Sequence, residues 1–221
     1  QGTAKMNNLL GGKGANLAEM CNLGVPVPPG FTITTEACTY YMQNKKFPPG
    51  VKSQVNNAII QIEKHMNKKF GNSKNPLLFS VRSGARMSMP GMMETVLNIG
   101  LNSKSIHGLI AKSKNPRFVY DSYRRLIMMY ADVVMDKPTK AKQKNIRLKL
   151  EQQLEQIKLN YAYKNDSDIS VEHLELLCAQ FKDKIKKSFN QQFPEKAHDQ
   201  LWGSINAVFK SWNGQRAINY R

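Results

Sequence analysis

Apolar residues recur at two different spacings along this chain, and the change of spacing divides it. After Asn102 the spacing is helical: Tyr120, Tyr123, Ile127, Tyr130 and Val134 share one face, and Ile146, Leu150, Leu154, Ile157 and Tyr161 share another. A third stripe joins Val171, Leu174, Cys178, Phe181 and Ile185, with Ser170 placed to cap it. A fourth joins Leu201, Ile205, Val208 and Trp212. Stripes of this kind predict packed helices, separated by Pro138 and by the polar stretch 164–168. Before Asn102 the character is mixed. Gly11-Gly12-Lys13-Gly14 opens a helix to about Leu23, stopped at Gly24. Three prolines (Pro26, Pro28, Pro29) then hold the chain extended into a predicted strand, Phe31 to Thr35. Helices are expected from Glu36 to about Gln43 and from Val51 to Phe70. The segment from Leu77 to Leu101, LLFSVRSGARMSMPGMMETVLNIGL, reads as strand, loop and strand.

Composition narrows the choices. At 221 residues the chain can bury one or two cores. Lys and Arg number 33 against 16 Asp and Glu, a formal net charge of +17, which raises nucleic acid as a partner. The lysines are scattered through every segment after residue 44, many at solvent-facing helical positions, so no nucleic-acid partner is expected. Three distant cysteines without a CxxC pair suit a reducing cytosol, and a cytoplasmic location is expected. No apolar run approaches the ~20 residues that span a bilayer, so no membrane partner is expected either.

The chemistry concentrates in the 77–101 segment. If the first strand stays extended through Arg86, then Arg82, Gly84 and Arg86 project to one side. Arg forks match phosphate oxygens in pairs, and a glycine between them allows close approach to the backbone. The loop from Ser88 to Met93 can turn backbone N–H groups inward as a second wall. Gly11 to Gly14 is not a P-loop, since Gly14 follows Lys13 where Ser or Thr is needed. Its value lies at a helix start, where N–H groups and the dipole favour an anion. Asp166-Ser167-Asp168 supplies too few oxygens for a metal. Of the four histidines, His65 and His173 read as surface residues.

VRSGARMSMPGMMETVLNIG, together with LLGGKGANLAEMCNLGVPVPPGFTITTEAC (Leu9 to Cys38), closely resembles the nucleotide-binding domain of the pyruvate, phosphate dikinase family. The likeness is strong over 5–101, looser through the helical middle, and returns near WNGQRAINYR. The water-dependent and glucan dikinases usually carry SSATAEDLP-like wording where this chain reads SGARMSMPGMM, which favours the phosphate-dependent branch. A water-dependent dikinase and a basic, helical nucleic-acid-binding module stay open as alternatives.

The resemblance implies an α+β fold: the first part of an ATP-grasp nucleotide-binding domain, with 1–102 and 191–221 forming its α/β body and 103–190 an inserted helical subdomain. It implies that Lys13 and Arg82 contact ATP phosphates, that Arg86 belongs to the same phosphate site, orienting the loop or pairing with an acid, and that Gly91, Met92, Met93 and Thr95 line it. It also implies that Mg2+ accompanies ATP through ligands beyond Arg221, and that no catalytic residue and no metal ligand lies within this chain. The phosphohistidine domain and pyruvate-binding barrel of the same enzyme are implied partners, in a homodimer of the whole. The chain is thus expected to be a fragment, inactive alone, of an enzyme that interconverts ATP, phosphate and pyruvate with AMP, pyrophosphate and phosphoenolpyruvate.

Overall fold

The computed structural model describes residues 2–85, 93–137 and 145–220. Among the described residues helices dominate, with two sheets of two strands each, an α+β arrangement. The chain divides into two compact units: 1–68, 82–95 and 205–221 form one, and 69–81 with 96–204 form the other.

In the first unit, α1 (Asn7–Asn22) is broken at Gly11, whose φ of 70° and ψ of 166° are not helical. A short helical turn, Asn7 to Leu10, therefore precedes the helix that carries Lys13. That helix ends as expected: Leu23 donates its N–H to Glu19, and Gly24 follows with φ 75°. Phe31 to Thr35 is not a strand. Among the described residues no strand is formed there, and Thr34, itself extended, instead caps α2 (Thr35–Asn44) by accepting the N–H of Ala37 at 3.4 Å. The third helix, α3 (Val51–Met66), stops four residues before the expected Phe70, because Asn67 adopts a left-handed conformation with φ 48°. Val51, Val55, Ile59 and Ile62 form its buried face. Tyr41, Phe47 and Phe209 make a ring cluster with centroids 5.0 to 5.7 Å apart.

The second unit opens with strands too short to read from the sequence. β1 (Lys69–Phe70) runs parallel to β2 (Pro76–Leu77), with Phe70 opposite Leu77. β3 (Phe79–Arg82) and β4 (Thr95–Ile99) form the other sheet. β3 ends at Arg82, and Arg86, the other end of the expected alternation, lies outside the described residues.

The helices follow their stripes. α4 (Ser105–Ser113) precedes α5 (Pro116–Tyr130), which begins with proline at its first position and Asn115 as its cap. One turn of π-helix, Ala131–Met135, leaves Val134 only half-buried. α6 (Ile146–Asn160) buries Ile146, Leu150, Leu154 and Ile157, whereas Tyr161 lies past its end and is exposed. α7 (Val171–Phe189) buries Leu174, Leu177, Cys178, Phe181 and Ile185, and Ser170 caps it through the N–H of His173. Fully burying each large apolar side chain of this set contributes ~1.5–3 kcal/mol. α8 (Ala197–Ser211) and α9 (Gln215–Tyr220) complete the chain.

One buried ion cluster was not legible in the stripe. Arg124 is 3 % exposed, and its guanidinium meets Asp121 at 2.6 Å and Asp166 at 3.3 Å. Asp166 also pairs with Lys158, and its carbonyl accepts from Arg117 at 2.7 Å. Asp166 thus gives its oxygens to cations, whereas Asp168 closes a capping box with Asn165. Among the described residues no helix is long and apolar enough to cross a membrane.

Candidate phosphate-binding site

Lys13 owes its position to Gly11. The reversal there starts a fresh helix, so Lys13 falls in its first turn, where unpaired N–H groups and the helix dipole favour an anion. Helical bonding does not use the first of those N–H groups. Gly12 donates it to the carbonyl of Ala85 at 2.9 Å. Lys13 itself is exposed.

The other half of the site is the segment leaving β3. Arg82 is the last residue of that strand and is exposed. Ser83 turns inward, 5 % exposed, and among the described residues its hydroxyl has no hydrogen-bond partner. Gly84 lies against the helix start, since a Cβ placed there would stand 3.3 Å from the carbonyl oxygen of Leu10. A glycine between two arginines implies room for a ligand at the backbone. What approaches it is the chain's own backbone at Leu10 and Gly11.

Gly14, one turn on, is close to Thr32: a Cβ at Gly14 would lie 3.0 Å from the Thr32 hydroxyl. The glycines of the GGKG turn therefore serve packing on two sides, while the lysine between them reaches solvent. Thr32 and Ser83 carry no signal in the sequence, because neither lies on a periodic stripe.

The remaining expected residues are distributed as follows. Thr95, half-buried, opens β4, and Met93 is half-buried with its sulfur 3.9 Å from the Ser211 hydroxyl. Arg86, Gly91 and Met92 lie outside the described residues. Lys13, Arg82, Met93 and Thr95 belong to one compact unit, and the Gly12–Ala85 hydrogen bond joins the two segments that carry the cations. Among the described residues no carboxylate pairs with Lys13 or Arg82, so both charges face outward. An exposed ammonium, an exposed guanidinium and a helix start are each groups that bind phosphate oxygens.

A metal is a different matter. Among the described residues no group of three or more His, Cys, Asp or Glu side chains gathers in a way that could hold one. His173 is not a plain surface residue: its Nδ1 lies 2.8 Å from the Tyr163 hydroxyl, and its ring stacks on Tyr161 with centroids 3.6 Å apart. Tyr163 also accepts the N–H of Ser170 at 3.3 Å, so this histidine serves the start of α7.

Comparison with known proteins agrees with the motifs. The chain is 48 % identical over 223 residues to the pyruvate, phosphate dikinase of Clostridium symbiosum, which covers all of this chain and 25 % of that protein. It is 46 % identical over 222 residues to the enzyme of that name from Rhizobium meliloti (strain 1021), covering all of the chain and 24 % of the relative. It is 44 % identical over 213 residues to that of Giardia intestinalis, covering 96 % of the chain and 23 % of the relative. The chain thus spans about a quarter of the length of these relatives. The family described as "Pyruvate phosphate dikinase, AMP/ATP-binding domain" matches residues 7–57 and 46–221, and to that family this chain belongs.

Proposed function

We propose that this segment grips the phosphates of ATP for a phosphotransferase of the pyruvate, phosphate dikinase type. Lys13 and Arg82 are its principal cations, and Arg86 steadies the loop. Gly91, Met92, Met93 and Thr95 complete the wall, with backbone N–H groups as donors. The observation that carries this reading is the hydrogen bond from Gly12 to Ala85, which ties the lysine turn to the arginine segment. The unpartnered Ser83 hydroxyl beside them supports it too, since a buried hydroxyl without a partner costs ~1–3 kcal/mol and persists where something else is gained.

In this reading 1–102 and 191–221 form the α/β body of an ATP-grasp domain and 103–190 an inserted helical subdomain. The whole enzyme interconverts ATP, phosphate and pyruvate with AMP, pyrophosphate and phosphoenolpyruvate by way of a phosphohistidine carried on another domain. It works as a cytoplasmic homodimer, and a barrel domain receives pyruvate. The part played by this chain's residues is to orient the phosphate tail and to neutralise its charge, the chief catalytic needs of phosphoryl transfer. Magnesium bound with ATP would add further charge neutralisation. Among the described residues no group of three or more His, Cys, Asp or Glu side chains supplies a ligand set for it.

Calorimetric titration with Mg-ATP tests the proposal. Lys13→Ala and Arg82→Ala should each weaken binding by about tenfold, equivalent to about 1.4 kcal/mol. Lys184→Ala, on α7, should change it little. Equal losses from all three, together with RNA binding that falls steeply with salt, would instead favour the basic polyanion module.

A further inference from the structure

We propose that Gly11 is a positioning residue for phosphate binding: its missing side chain lets the turn that carries Lys13 lock backbone-to-backbone onto the segment that follows Arg82, so the two cations act as one set. The inference rests on the ATP reading above and concerns how that site is held together.

The contact leaves no room for any other residue. A Cβ built on Gly11 would stand 1.3 Å from the carbonyl oxygen of Gly84 and 2.4 Å from its carbonyl carbon. Both are backbone atoms, so no side-chain rotation can relieve the clash. The next residue, Gly12, then closes the contact by donating its N–H to Ala85 at 2.9 Å. With these two points joined, Lys13 follows one position after the clasp on one side. Arg82 precedes it by two or three positions on the other. Neither cation needs to touch its counterpart for the spacing to be set, because the backbone between them sets it.

Gly11 also has a left-handed φ, and that alone would make a side chain costly. Gly24 separates the two effects. Its φ of 75° nearly equals the 70° of Gly11, yet a Cβ there would meet nothing within 4 Å. Gly24 therefore carries the backbone requirement without the contact. Gly84 offers the complementary case: its Cβ would lie 3.3 Å from the Leu10 carbonyl, a distance that a shift of a few tenths of an ångström accommodates.

The test uses the 221-residue chain, titrated with ATP and with inorganic tripolyphosphate, alongside far-ultraviolet circular dichroism. In the parent, Lys13→Ala and Arg82→Ala should be non-additive, because both cations grip one tail. Gly11→Ala should lower tripolyphosphate affinity by about tenfold and render the two substitutions additive, a loss of coupling that simple destabilisation does not produce. Gly24→Ala should lower the melting temperature yet keep affinity within about twofold of the parent. Should Gly11→Ala fail to fold, Gly12→Pro decides. Proline suits the first position of a helix but removes the N–H that Ala85 accepts, so it should cause the same loss.

A folded Gly11→Ala or Gly12→Pro chain that binds within twofold of the parent, with coupling intact, overturns the inference while leaving the ATP reading standing. If the parent chain binds neither ATP nor tripolyphosphate, the ATP reading itself falls, and this inference with it.

Discussion

Gln200 holds Gly100 by a hydrogen bond of 2.8 Å from the Gly100 N–H to its side-chain oxygen, at a site where Gln200 is wholly buried. The same amide donates to the carbonyls of Leu101 at 2.9 Å and Pro194 at 2.8 Å. Three main-chain groups around the end of β4 are thereby satisfied by one side chain on α8. Gln200→Leu keeps the volume and orphans all three groups. The expected cost is ~2–4 kcal/mol, read as a lower urea midpoint with an unchanged slope. A loss below ~1 kcal/mol would mean that these groups find other partners.

Arg124 should behave as the centre of its cluster. Removing it leaves Asp121 and Asp166 facing each other's surroundings without their shared cation, and Arg124→Ala should destabilise by about 2–3 kcal/mol. The exposed pair of Lys187 and Asp183, 2.7 Å apart, is the contrast: Lys187→Ala should shift stability by less than ~0.5 kcal/mol. Comparable effects of the two would refute the assignment.

Acid should weaken the fold through Asp121 and Glu195. Burial works against the charge of each carboxylate. For Asp121 the guanidinium groups of Arg124 and Arg125 outweigh it, and for Glu195 the N–H and hydroxyl of Ser103 and the ammonium of Lys182 do so. Both carboxyls are therefore held below their ordinary values. A group depressed in the folded state contributes stability that is present above its unfolded value, about pH 4, and that is lost as pH falls through the folded one. Urea midpoints at pH 7 and pH 3 should differ more for the parent than for Asp121→Asn or Glu195→Gln. Equal differences in all three would remove these groups from the account.

Thiol reactivity should follow burial. Burial pushes Cys38 up to about 11 and Cys178 up to about 12, so both are held as unreactive thiols in the folded chain, whereas Cys21 is exposed. A disulfide reagent at pH 8 should titrate one thiol quickly and the other two only as the chain opens. Three fast thiols would show that the packing around Cys38 and Cys178 is looser than described.

Ser83 invites the opposite kind of substitution. Its hydroxyl is buried without a partner, so Ser83→Ala removes a desolvated polar group and should raise the melting temperature slightly, or leave it unchanged. A clear fall would mean that the hydroxyl is bonded in solution.

Much of the helical half was legible because burial on a helix leaves a periodic trace. Leu174, Cys178, Phe181 and Ile185 are the buried face of α7, as their spacing implies, and Ser170 caps the helix where expected. Errors arose where periodicity says nothing about partners. Phe31 to Thr35 has strand-like residues, yet among the described residues it joins no sheet, and it leads instead into α2. Phe70 reads as the end of a helix, but the left-handed Asn67 turns the chain first and delivers Phe70 to β1. Arg124 falls among apolar residues on α5 and is buried there only because Asp121 and Asp166 come to meet it.

The sequence by itself determined the helical faces, the two motif-bearing segments and, through the wording of those motifs, the family. Those are local properties, carried by side-chain type and spacing. Only the tertiary structure decided that the carbonyl of Gly84 occupies the place where Gly11 has no side chain, and that Gly12 then binds Ala85. Such a contact is made by backbone groups where side chains are missing, so it leaves no pattern of hydrophobic or charged residues to read. Close approach of two main chains depends on where the fold brings them, and a glycine in the sequence shows only that such an approach is permitted.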